Sequence, residues 1–329
     1  MRRPRAPNFS TGARAPPWPC TPPPPTPPRS ATGTPACCSP DRRRTTNVNH
    51  DAEPRPPGPS WLQVFVQFDD YTAAEHTGVT HLRSVMTDAE EAGLVASWWF
   101  VRKAPCWRLR YLPAHHAEQD AQAFLRQMLD ALRATGRIAG WVETIYEPEV
   151  NAFGGPAAMD VAHRLFHQDS RHILNYLGSD HAATTGEGDK RRELSILLCT
   201  TLMRGARQDW YEQGDIWARL AENRPLPPEM ALDRVSGIDS GLRRLMTVDA
   251  GPVSTLVTQG GPLTYLADWA AAFDSAGTAL GDLARDGTLR RGVRAILTHH
   301  VIFHWNRIGL PYETQSILAH AAKAAVLGS

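Results

Sequence analysis

The chain has 329 residues, room for two ordinary domains at about 150 residues each, and a formal charge of +1 that hides two unlike segments. Residues 1–60 hold nine arginines, 17 of the 27 prolines and a net charge of +6, whereas the rest of the chain carries −5. A mildly acidic body without a basic stripe excludes direct nucleic-acid binding as the main task, and no apolar run reaches the roughly 18 residues of a membrane span. The body has only Cys106 and Cys199, too few for a disulfide framework or a zinc finger, and this usage fits a reducing cytoplasm.

Residues 1–60 contain "APPWPCTPPPPTPPRS", proline-dense sequence with almost no aliphatic side chains, and read as a disordered, partly polyproline extension. Folded sequence is expected over 61–329, as a β-rich half (61–155) and a helical half (156–329). "WLQVFVQF" (61–68) reads as a strand, and the spacing of Val79, Leu82, Val85 and Met86 predicts a helix that stops at Gly93. Strands follow at 94–102 and 107–112 across the turn "KAPC". An amphipathic helix presents Phe124, Leu125, Met128, Leu129 and Leu132 on one face, and "IAGWVETIY" (138–146) closes the set as a strand. The order β-α-β-β-α-β is that of a ferredoxin-like half. Beyond Gly155 helical spacing dominates in seven segments, one of them over 226–246, so the fold class is α+β.

No P-loop, dinucleotide-binding glycine motif, nucleophile elbow or H-E-x-x-H occurs. The His pairs His163/His167 and His300/His304 have i,i+4 spacing but no evident third ligand, so neither a metal nor a cofactor is expected. "FGGP" (153–156) reads either as a tight turn into a helix or as an anion cradle. Arg108 and Arg110 alternate with Leu109 and so share one strand face, where they either meet an anionic ligand or pair internally with Glu143 or Glu147. Glu147 and Glu149 follow the last strand, where a carboxylate is placed for acid–base work or is merely solvated. In "HHVIFHWNRIGL", His300, His304 and Arg307 form one helical stripe, with the intervening isoleucine and phenylalanine expected on the core side.

"SWWFVRKAPCWRLRYL", "WVETIYEPEVNAFGGPAAMDVAHRLFHQDSRHIL" and "HHVIFHWNRIGL" together resemble the C-terminal domain of lantibiotic dehydratases, also found alone as the thiopeptide-type bacteriocin biosynthesis domain. The resemblance implies a stand-alone tailoring enzyme for a ribosomally made, leader-bearing precursor peptide. It implies β-elimination of glutamate from glutamylated Ser or Thr, with the glutamate attached by a separate glutamyl-tRNA-using subunit. The alternatives it leaves are the pyridine-forming [4+2] cycloaddition of thiopeptide biosynthesis and a non-catalytic leader-binding subunit. By the same resemblance His304, Glu149 and Arg108 are the catalytic candidates, and Arg110, Tyr146, Arg307, Arg102 and His300 the substrate-binding ones. The chain departs from the eliminating pattern in two places. Ala152 and Phe153 stand where an arginine and a tyrosine are usual, and Cys106–Trp107 replaces the histidine that normally precedes the Arg-Leu-Arg strand.

Overall fold

Alternation of apolar and polar residues builds the sheet first. Strands β1 (Leu62–Gln67), β2 (Val95–Lys103), β3 (Cys106–Pro113) and β4 (Gly140–Thr144) pair antiparallel in the order β2-β3-β1-β4. The computed structural model describes residues 60–179, 190–227 and 239–328. The proline-rich extension and part of the helix expected over 226–246 lie outside them. Between β1 and β2 a helical run passes through α1 (Ala74–Thr77) and a π-helical turn at Gly78–Leu82 into α2 (Arg83–Glu91). Helix α3 (Glu118–Ala134) joins β3 to β4. The last strand is shorter than the sequence suggests. It ends at Thr144, because Ile145 is 87% exposed and Tyr146 turns away toward the helical half.

The register decides what each sheet face does. Val64, Val66, Trp98, Phe100, Trp107, Leu109 and Tyr111 share one face and are buried with Val85, Met86, Ala121, Leu125 and Leu129 of α2 and α3. The opposite face carries Gln63, Phe65, Trp99, Val101, Arg108 and Arg110, opposed pairwise across β1, β2 and β3.

Helices α4 (Pro156–Leu177), α5 (Arg191–Gly205), α6 (Trp210–Asn223), α7 (Asp239–Thr247), α8 (Ala267–Arg285), α9 (Val293–Ile308) and α10 (Tyr312–Leu327) make up the rest. Small residues let α5 and α8 approach closely: a Cβ on Gly277 would sit 2.2 Å from the Leu202 carbonyl oxygen. Helix α4 also closes the outer edge of β2, where His167 Nδ1 lies 3.2 Å from Trp98 N and 3.0 Å from its oxygen. The Phe100 N–H donates to Ser170 Oγ at 3.3 Å. Side chains from a helix thus occupy backbone groups that an edge strand would otherwise offer to a stranger.

Candidate functional site

Two structures meet on the second sheet face, a buried polar core and an open cleft. The core centres on Asp169 of α4, which has no solvent exposure. His304 Nδ1 lies 3.0 Å from each of its carboxylate oxygens, Arg307 Nε donates at 2.9 Å and Trp269 Nε1 at 2.9 Å. Burial alone would raise the Asp169 carboxyl, but His304, Arg307 and Trp269 more than offset it and hold the group below the ordinary carboxylate value. The Arg307 guanidinium stacks on Phe166, 4.6 Å from the ring centre. Sequence reasoning gave Asp169 no role. Its signal was present, since Asp169 continues the buried Ala162, Phe166, Ile173 stripe of α4 at helical spacing.

The cleft is lined by Trp99, Arg110, Tyr146, Glu147, Glu149, Phe153, Met159 and Phe303, and is narrow, with a cavity volume of about 20 Å³. Arg110 enters from β3. Its Nε donates to Gln63 Oε1 at 2.7 Å, and its guanidinium lies 4.2 Å from the Trp99 ring centre and 4.8 Å from that of Tyr146. Its Nη1 is buried without a hydrogen-bond partner among the described residues. Burial pushes Arg110 down to about 10, a value at which it remains cationic at neutral pH.

Tyr146 Oη lies 2.9 Å from His163 Nε2, and burial raises the phenol. Burial, reinforced by Arg110, lowers His163 to about 4, so this imidazole is neutral near pH 7. Glu147 and Glu149 are both exposed at the rim.

The remaining sequence candidates fall elsewhere. Arg108 is half-buried and rests on Phe65, 4.9 Å from its ring centre. Glu143, one of its expected partners, instead binds Arg126 at 2.7 Å. Arg102 pairs with Glu75 and donates to the Arg307 carbonyl at 2.8 Å; Arg191 binds the same glutamate and the Ile308 carbonyl. Two guanidinium groups therefore sit at the C-terminus of α9, where the helix dipole favours cations.

His300 is buried against Phe153, with ring centres 5.0 Å apart. Both its nitrogens are buried without a partner among the described residues, and burial, followed by Arg307, pushes it down to about 3. The stripe of His300, His304 and Arg307 is itself the core side of α9. Ile302 and Phe303, expected there, are only half-buried, because the Asp169 carboxylate draws His304 and Arg307 to the inward side of the helix. The two His pairs also part company: His163 turns to Tyr146, and His167 to the β2 edge and Glu90.

The "FGGP" segment is a tight turn. Gly154 has φ +90° and Gly155 φ +112°, and a Cβ on Gly154 would lie 2.3 Å from Ile296. This turn drives Phe153 into the core between Phe166, His300 and Phe303.

Residues 61–326 match the family model described as lantibiotic biosynthesis dehydratase C-term. The chain belongs to this family. No curated protein matches its sequence. Among solved structures, the tRNA-dependent lantibiotic dehydratase MibB from Microbispora sp. 107891 superposes with a TM-score of 0.59 at 18% identity, over 83% of this chain and 28% of MibB. This lantibiotic dehydratase C-terminal family member therefore spans little more than a quarter of MibB. The pyridine synthase TbtD from thiomuracin biosynthesis gives 0.55 at 12% identity, over 81% of this chain and 97% of TbtD. TsrL gives 0.52 at 15% identity, over 81% and 94%. At such identities the likeness is one of fold.

Proposed function

We propose that this protein is a tailoring enzyme of ribosomal peptide biosynthesis that eliminates glutamate from glutamylated Ser or Thr of a precursor peptide, with its β-rich half read as ferredoxin-like. One observation carries the reading: Arg110, a buried arginine whose Nη1 has no hydrogen-bond partner among the described residues, lines the cleft, flanked by aromatic rings and by Glu149 at the rim. A desolvated cation without a counter-ion is costly. Stacking on Trp99 and Tyr146 offsets part of that cost, and an incoming carboxylate offsets more.

The chemistry follows from these positions. Glu149 accepts the proton from Cα of the glutamylated residue, and the electron pair of the broken C–H bond forms the Cα=Cβ double bond. The Cβ–O bond breaks and glutamate leaves as a carboxylate, its charge met by Arg110. The precursor peptide is glutamylated beforehand by a separate enzyme. His304, 1% exposed and bonded to Asp169, supports the site from behind instead of touching substrate.

A second reading, pyridine-forming cycloaddition, is favoured by Phe153. The residue fills the core where the eliminating pattern has a tyrosine, next to an alanine in place of arginine. Arg102 and Arg307, the cations able to replace that arginine, are bound to Glu75 and Asp169.

Mass spectrometry separates the two reactions. Synthetic Ser/Thr-rich peptides carrying one O-glutamyl serine lose glutamate and gain dehydroalanine if the enzyme eliminates. If it cyclises, those peptides stay intact, and peptides with two dehydroalanines form a ring.

A further inference from the structure

The two edges of the sheet differ. The β2 edge is occupied by His167 and Ser170 of α4. The β4 edge has no backbone partner on its outer side among the described residues. Helix α3 covers only one face of β4: Trp141 Nε1 donates to Asp130, and Glu143 pairs with Arg126.

On the uncovered side lies Val142, 48% exposed, and just beyond the strand lies Ile145 at 87%. Natural edge strands are usually blunted by charge, proline or cover. Here two exposed β-branched apolar residues flank an open row of N–H and C=O groups. The strand then runs directly into Tyr146, Glu147 and Glu149, three of the residues lining the cleft.

We propose that the outer edge of β4 docks an extended segment of the peptide substrate as an added strand, delivering the reacting residue into the cleft beside Arg110. The proposal rests on the peptide-tailoring reading above. Five residues of β4 span about 17 Å at ~3.4 Å each, so a docked segment of five residues fills the edge. The segment's next two residues then pass Ile145 and reach Tyr146. Main-chain pairing of this kind tolerates varied side chains and gives affinity through backbone hydrogen bonds, with Val142 and Ile145 supplying apolar contact.

The test is amide hydrogen exchange on the full chain, with and without the O-glutamyl-serine peptides, binding being followed separately by fluorescence anisotropy. The expected result is at least several-fold slower exchange over residues 141–145 on binding and no change at the β2 edge. Peptides N-methylated at alternate residues should bind at least tenfold more weakly, and Val142→Lys and Ile145→Lys should raise KM several-fold with little change in kcat. Absence of binding, binding without slower exchange at β4, or indifference to N-methylation overturns the proposal. So does sedimentation showing the edge closed by a second copy and released by Val142→Lys. Slower exchange at β4 without glutamate release supports docking and overturns only the elimination reading; release without it does the reverse.

Discussion

His304 on α9 and Asp169 on α4, 135 residues apart in sequence, meet with Nδ1 3.0 Å from each carboxylate oxygen, both side chains being almost wholly out of solvent. Arg307 and Trp269 complete the carboxylate's partners. The cluster joins α4, α8 and α9 and lies beneath the wall of the cleft formed by Trp99, Phe153 and Phe303.

Asp169→Ala leaves Arg307 buried without its counter-ion, and such breaks cost about 3–5 kcal/mol. His304→Ala removes one partner of a buried carboxylate and should cost about 1–3 kcal/mol. Urea unfolding of both variants measures this. An unchanged midpoint for Asp169→Ala would show that the cluster does not hold the helices together.

Stability should fall with acid. His163 is lowered to about 4 and His300 to about 3, against about 6.5 for an unperturbed imidazole. The unfolded chain therefore binds more protons below pH 6.5, and stability is lost as pH drops from there toward 3, levelling off below. The depressed Asp169 carboxyl acts in the same direction at lower pH. Urea midpoints at pH 7.5 and 5 should differ, with a smaller difference in His300→Phe. A flat profile would mean that these imidazoles are not buried neutral.

Glu149 is exposed, and among the described residues its side chain makes no hydrogen bond; only its carbonyl is held, by the Phe153 N–H, while Arg110 lies near enough to interact electrostatically. Glu149→Gln should therefore fold normally and lose roughly 10²- to 10⁴-fold in kcat, the usual contribution of a general base. Retention of kcat would move the proton transfer to another group.

Gly154→Ala combines φ +90° with a Cβ 2.3 Å from Ile296. The substitution should destabilise by more than the ~1 kcal/mol of an ordinary glycine-to-alanine misfit and displace Phe153. Near-wild-type melting would show that the turn has slack.

The strands and most helices were legible because their periodicities are strong, as in Leu62–Gln67 and Glu118–Ala134. The arginine pair was legible too, since alternation along β3 puts Arg108 and Arg110 on one face whatever the fold. Their different fates were not, because Trp99, Tyr146 and Gln63 reach Arg110 from other elements. Asp169 was missed for a related reason. Its place on the apolar stripe of α4 was readable, but its partners His304 and Arg307 lie 135 and 138 residues away in sequence. The same contact explains α9, where the polar stripe faces inward and Ile302 and Phe303 are half-buried.

The central claim is that Arg110 holds the departing carboxylate, and a mass-resolved time course of glutamate release by wild type and Arg110→Ala tests it most directly. Wild type should convert O-glutamyl serine to dehydroalanine. The variant should be about 10- to 100-fold slower, in line with ~1.5–3 kcal/mol for a hydrogen bond to a charged group. Equal rates for the two proteins, or a wild-type enzyme that leaves every glutamylated peptide intact, would contradict the account.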